Sequence, residues 1–138
     1  MKKGSKNKEV TDDKRKKLEI LLAKDLTTDK VFISPTYKFD YLRYAIENWA
    51  TTRGFFKDGG ATVYGQSKKL IEECLEVFEA VVLDDENEFI DGIGDTLVVL
   101  IVLCKLYDVD ILDCLEKAYN TIKTRKGHWK DGIFVKEN

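Results

Sequence analysis

Apolar residues recur along most of this chain at spacings of three and four, the period of helices that bury one face. Five such stretches are predicted. The first carries Leu18, Leu21, Leu22 and Leu26; Thr11 serves as its cap, Asp12 and Asp13 occupy the favourable first turn, and it closes near Asp25. The second carries Tyr41, Leu42, Ala45, Ile46 and Trp49, with Ser34 as cap, Pro35 as first helical residue and Gly54 as its end. In the third, from about Tyr64 to Leu83, Ile71, Cys74, Leu75, Phe78 and Val82 form an apolar stripe assigned to the core, while Glu72, Glu73, Glu76 and Glu79 fall beside and opposite it. A turn at 84–87 leads to the fourth, from about Glu88 to Tyr107, whose centre Leu97–Cys104 is apolar on every side and is therefore expected to be surrounded by protein. Asp110 caps the fifth, in which Ile111, Leu115, Ala118 and Ile122 are assigned inward and Lys123, Arg125 and Lys126 gather before Gly127, where they complement the helix dipole.

Between these stretches the pattern is less regular. Val31-Phe32-Ile33 reads as an extended segment lying over the bundle. Residues 55–65, with Gly59, Gly60 and Gly65, read as a flexible connector and lid without a phosphate-loop pattern. After the fifth helix an Asp131-Gly132 turn precedes Ile133-Phe134-Val135. The predicted fold class is all-α: a four-helix-bundle-like core with an additional N-terminal helix. Residues 1–36 supply a basic tail (1–8), a helix and the extended segment, and 37–138 the main domain, together one compact domain.

A chain of 138 residues with 43% hydrophobic content is long enough for one core and short for two ordinary domains. With 23 basic residues against 25 acidic ones and a net charge of −2, it offers no general basis for binding nucleic acid or an anionic membrane, so function has to be local. Cys74, Cys104 and Cys114 sit at apolar helical positions without metal-ligand spacing, and an odd number of thiols expected to be buried points to a reducing, intracellular compartment. The lysine-rich start lacks the apolar run of a signal peptide. The longest apolar run, Leu97–Cys104, falls far short of the roughly 20 residues that span a bilayer. A cytoplasmic protein is expected.

The acids are the candidate chemistry. Glu88, Asp91 and Asp95 follow one another at spacings of three and four, so their side chains share one side of the fourth helix. A glutamate run on an amphipathic helix is commonly a solvated face, and for the third helix that reading stands beside the functional one. Asp91 and Asp95, however, share a side with Val98, Val99 and Val102 on a helix expected to be buried, so they are predicted to point into the bundle or a cleft. Where Glu73, Glu76, Asp91 and Asp95 meet, each close pair repels by about 3 to 4 kcal/mol at an effective dielectric near 20. Such a site takes up protons or cations. An all-oxygen donor set suits Mg²⁺, with Mn²⁺ as its substitute, and the sole histidine, His128, lies off the acidic helices. Gly92 and Gly94 mark either a close approach of something to the helix backbone or tight helix packing.

Gln66-x-x-Lys69-Leu70-x-Glu72-Glu73-x-x-Glu76, a short gap, then Asp91-Gly92-Ile93-Gly94-Asp95 resembles the MazG-like all-α nucleoside triphosphate pyrophosphohydrolases, in particular small single-domain versions of the kind found in bacteriophages. Trp49 with Arg53-Gly54 upstream and Asn120-x-x-Lys123-x-Arg125-Lys126-Gly127 downstream are similar to that family too, so the resemblance covers about residues 39–136. It implies hydrolysis of a (deoxy)nucleoside triphosphate between the α- and β-phosphates, giving the monophosphate and pyrophosphate. It further implies Glu73, Glu76 and Asp95 as metal ligands, with Glu72 a ligand or the group that orients the attacking water. Family members commonly show Glu-x-x-Asp as the second motif, whereas the position three before Asp95 is Gly92 here. Asp91 four before Asp95, or the register Glu88-x-x-Asp91, completes the acid pair.

Charge supports that chemistry: a triphosphate brings about four negative charges to a carboxylate-rich site, and divalent ions reverse the sign of the interaction. Lys69, Lys123, Arg125 and Lys126 are candidates for the outgoing pyrophosphate, Trp49 for stacking on the base, and Gln66 and Asn120 for reading its edge. The competing readings are a non-catalytic helical interaction module with an acidic surface and a di-iron carboxylate bundle, the latter lacking its Glu-x-x-His pairs. An all-round apolar fourth helix is buried more easily in an assembly, so a homodimer or homotetramer is expected.

Overall fold

The computed structural model describes residues 5–27 and 30–137. The fold is all-α: five helices, α1 (Ser5–Leu26), α2 (Pro35–Thr52), α3 (Val63–Leu83), α4 (Glu86–Leu106) and α5 (Ile111–Ile122), followed by one hairpin of β1 (Gly127–Lys130) and β2 (Ile133–Lys136). Contacts group the chain into two compact units, Met1–Ala61 and Thr62–Asn138.

In the first unit α1 packs on α2. Leu18, Leu22 and Tyr41 form its buried centre, with Leu21, Ile33, Tyr44 and Ala45 against it. The Tyr41 hydroxyl donates to Oδ2 of Asp25 at 2.5 Å, and burial together with that carboxylate pushes the phenol up to about 12. Burial raises the carboxyl of Asp40, but the hydrogen bonds and charges of Lys14 and Arg43 outweigh it and hold the group below the usual range.

Helix α1 starts at Ser5, so Thr11 lies inside it and is no cap. The expected basic tail falls partly on residues 1–4, outside the described residues, and partly on helix. Lysine is a good helix former, which is why a lysine-rich stretch continues the helix. Leu26, assigned to the core, is exposed. Residues 30–34 form no strand; Ile33 packs inward while Phe32 stands out at 89% exposure. Pro35 opens α2 after Ser34 as expected, although the Ser34 side chain makes no capping bond.

The stretch read as a flexible connector is a hydrogen-bonded succession of turns: Phe55 N–H donates to Ala50 O at 3.0 Å, Gly60 N–H to Lys57 O at 2.9 Å and Ala61 N–H to Phe55 O at 2.7 Å. A side chain on Gly60 would collide with the backbone oxygens of Gly54 and Phe55, so glycine is required there.

In the second unit Thr62 caps α3 by accepting from Gly65 N–H at 3.0 Å. The α3–α4 link is shorter than predicted: Asp84 takes the left-handed conformation (φ 54°), and Asp85 accepts from Asn87 and Glu88 N–H, each at 3.1 Å. So short a link folds α4 back antiparallel on α3. Asp110 caps α5 as expected, accepting from Leu112 N–H at 2.7 Å. The Asp131-Gly132 turn closes an antiparallel hairpin, both residues at positive φ as a type I′ turn requires, with Trp129 opposite Phe134.

The face by which α3 meets α4 is not the predicted one. Glu73 and Ala80 are its buried residues, with Leu70 and Val77 half-buried beside them, whereas Ile71, Cys74, Leu75, Phe78 and Val82 are all exposed. Short side chains explain the choice. A Cβ on Gly92 would lie 2.9 Å from Cγ2 of Val77 and 3.4 Å from its backbone nitrogen, so the helices meet where α4 has no side chain. On α4, Gly92, Val99, Ile101 and Val102 are buried, but Leu97 is exposed at one end of the run expected to be enclosed. Helix α5 has no buried residue: Leu115, Ala118 and Ile122, assigned inward, are exposed. Cys74 and Cys114 are exposed and Cys104 half-buried, contrary to the expected burial.

Candidate active site

Helix spacing places Glu73 one turn before Val77 and Thr96 one turn after Gly92. Because α3 and α4 are antiparallel, the Val77–Gly92 contact brings these two positions to the same level of the seam. Glu73 is 2% exposed, the one buried charged residue among those described. Its Oε1 lies 2.6 Å from Nζ of Lys69, an ion pair at i,i+4, while its Oε2 is buried without a hydrogen-bond partner. Lys69 also reaches Oε2 of Glu72, at 3.5 Å, and its ammonium is raised first by the hydrogen bond to Glu73.

Glu76, one turn on from Glu72, is exposed along the edge of the same seam. Its carboxyl is raised chiefly by the negative charge of Glu73, then by burial, with a further contribution from Asp95 across the seam and an opposing one from Lys69. Thus Glu73, Glu76 and Asp95 from two helices share one electrostatic neighbourhood with Lys69 as its internal cation.

The acids of α4 sit otherwise than predicted. Asp91 and Asp95, predicted to point into the bundle or a cleft, are both exposed; the buried carboxylate is on α3. Gly92 faces α3, which leaves Asp91 at the seam's margin, and Glu88 is exposed near the start of α4.

Among the described residues, no three His, Cys, Asp or Glu side chains form a group poised to hold a metal ion. The donor chemistry nevertheless suits a hard divalent cation: the acids carry oxygen only, one buried carboxylate oxygen lacks a partner, and a neighbouring carboxyl is raised by like charge.

The remaining predicted residues are distributed as follows. Gln66 is half-buried on α3. Nζ of Lys123 donates to Oδ1 of Asn120 at 2.8 Å at the end of α5 and lies 6.0 Å from the Tyr119 ring, so these two residues act as one group. Arg125 and Lys126 are exposed just beyond. Trp49, in the first unit, is tilted against Phe55 with ring centroids 5.2 Å apart, and the Arg53 guanidinium lies 5.4 Å from the Trp49 ring. Sequence reasoning missed Thr96, whose Oγ1 is buried in the seam without a partner. Its place one residue after Asp95 was visible, but only the Gly92 contact shows that it faces α3. It also passed over Trp129, exposed beside Phe134 on the hairpin.

An apolar hollow of about 430 Å³ in the first unit, lined by Leu18, Leu21, Phe32, Ile33 and Tyr37 with Asp13, Lys14 and Lys17, contains none of the predicted site residues. No helix among the described residues is long and apolar enough to cross a membrane.

Comparison with known families agrees with the acidic hairpin. Residues 65–129 match the MazG nucleotide pyrophosphohydrolase domain. No curated protein and no solved structure matches the chain. The matched stretch takes in α3 from Gly65 onward, α4, α5 and every acid of the seam, and over that stretch the chain is MazG-like.

Proposed function

We propose that this protein is a metal-dependent pyrophosphohydrolase that converts (deoxy)nucleoside triphosphates to the monophosphate and pyrophosphate. The observation that carries the reading is Glu73: a carboxylate 2% exposed on a helix seam, with one oxygen on Lys69 and the other without a partner, beside a Glu76 raised by its charge. A buried acid is costly unless compensated, and a surface row of glutamates would not place one there.

Glu73, Glu76, Asp91 and Asp95 would hold Mg²⁺, or Mn²⁺ in its place, and the bound ion would supply charge neutralisation and Lewis acidity at the α-phosphoryl group. Glu72, exposed next to Glu73, orients water and accepts its proton. The water oxygen bonds to the α-phosphorus as the bridging oxygen to the β-phosphorus leaves with pyrophosphate. Lys123, Arg125 and Lys126 bind the departing charge, Asn120 holds Lys123 in place, and Lys69 exchanges its hold on Glu73 for substrate phosphate. Gln66 reads the edge of the base.

The protein works as a homodimer or homotetramer. Supporting this, the stripe of Ile71, Leu75, Phe78 and Val82 is 57–65% exposed, and Ile90, Ile93 and Leu97 on α4 are exposed as well. Apolar faces of that extent on a helical pair are normally covered in an assembly.

The test is product analysis with a panel of ribo- and deoxynucleoside triphosphates, with Mg²⁺ and with chelator. Monophosphate and pyrophosphate in equal amounts, only with metal, is the expected result. Diphosphate and phosphate would overturn attack at the α-phosphorus, and no turnover of any nucleotide by folded protein would favour the interaction module.

A further inference from the structure

Thr96 departs from the behaviour of three other helical hydroxyls in this protein. Thr51 donates to the carbonyl of Glu47 at 2.7 Å, Ser67 to that of Val63 at 2.8 Å and Thr121 to that of Lys117 at 3.0 Å, each bonding back by one turn. Thr96 has the carbonyl of Gly92 one turn behind it, yet its Oγ1 is buried with no hydrogen bond. Such a hydroxyl is costly to bury, and valine would fill the same space without the cost.

Position 73 lies across the seam at the same helix level, and Oε2 of Glu73 is likewise buried without a partner. A hydroxyl can donate and a carboxylate only accept, so the two orphaned groups are complementary. The nearest cation, Lys69, is committed to Oε1 and leaves Oε2 without a donor.

We infer that Thr96 is a positioning residue for the acidic site: its hydroxyl, directly or through one water, donates to Oε2 of Glu73 and fixes the orientation of that carboxylate for a divalent cation. The inference rests on the metal-site reading above and adds to it a residue from outside the acidic motif. Both groups lie on helices packed together at Val77 and Gly92, which holds the two positions in register. Groups that orient a metal ligand in this way typically change metal affinity by about 10- to 100-fold when removed.

The test is a titration of the full-length, metal-free protein with Mn²⁺ alone, following the free ion by electron paramagnetic resonance, for wild type, Thr96→Val, Thr96→Ser and Glu73→Gln. Thr96→Val is expected to weaken binding by about 10-fold or more, Thr96→Ser to restore it and Glu73→Gln to abolish it. Thermal unfolding supplies a second readout: Thr96→Val gains less from added Mn²⁺ than wild type does. Wild-type Mn²⁺ affinity in Thr96→Val would overturn the role of Thr96 alone. Equal weakening in Thr96→Ser and Thr96→Val would overturn it too, since serine keeps the hydroxyl. Absence of Glu73-dependent binding in wild type would overturn both the metal site and this inference.

Discussion

Substituting Gly92 by alanine tests the seam that the candidate site depends on. In isolation the change favours a helix, since alanine is about 1 kcal/mol better than glycine in a helix interior. Here the new Cβ would meet Cγ2 of Val77 at 2.9 Å, against the roughly 3.5 to 4.0 Å at which carbon atoms rest. Val77 has little room to yield, because a β-branched residue in a helix is confined to essentially one rotamer and its backbone nitrogen is itself only 3.4 Å from the new atom. Overpacking a filled site typically costs about 1 to 3 kcal/mol. Set against the propensity gain, the expected net effect is a destabilisation of up to about 2 kcal/mol. Urea unfolding followed by circular dichroism, with the slope compared between variants, measures it. The same substitution in a Val77→Ala background should reverse sign and stabilise by up to about 1 kcal/mol, because the colliding methyl is gone. If Gly92→Ala alone is more stable than wild type, or the two backgrounds respond alike, the close approach of α3 and α4 at this point is refuted.

Other expectations follow from the same geometry. Glu76→Gln and Asp95→Asn should each abolish pyrophosphate release while leaving the helical circular dichroism intact; ordinary activity in either would remove that residue from the site. Phe78→Asp should shift the protein to a smaller assembly in light scattering, and a monomer mass for the wild type at micromolar concentration would refute the proposed oligomer. In the first unit, the contribution of Tyr41 to stability is complete below the ordinary phenol value near 10 and is lost as the pH rises through about 12. Ultraviolet titration of Tyr41→Phe should lack the component that wild type shows near pH 12.

What was legible in the sequence follows from how local each signal is. Pro35 after Ser34, and Asp110 before Ile111, fixed two helix starts because caps and proline act within a single turn. The acidic spacings located the candidate chemistry for the same reason. The packed face of α3 was not legible, because periodicity says which side is most apolar and not which neighbour covers it. Helix α4 took the narrower face of Val77 and Ala80, where Gly92 permits close approach, and left the Phe78 stripe outward. From that reversal come the exposed stripe, the burial of Glu73 and the exposure of Asp91 and Asp95. The N-terminal start of α1 was hidden by composition, since charge density reads as a tail while lysine itself favours helix.

The reversal also bears on why an acid occupies the seam. Close helix contact is built from small or apolar groups, and Val77, Ala80 and Gly92 meet that requirement. Glu73 one turn away does not, and the Lys69 ion pair compensates only one of its oxygens. Nor is that pair a device for helix stability, because lysine preceding glutamate by four residues is the less favourable orientation relative to the helix dipole. An apolar residue at position 73 would serve packing better, and the proposed cation site gives the carboxylate its reason. The seam supplies what a ligand-binding carboxylate needs: a backbone contact at Val77–Gly92 that fixes its helix, an ammonium that shares its charge until a stronger cation arrives, and Glu76 and Asp95 close enough to strengthen the local demand for positive charge.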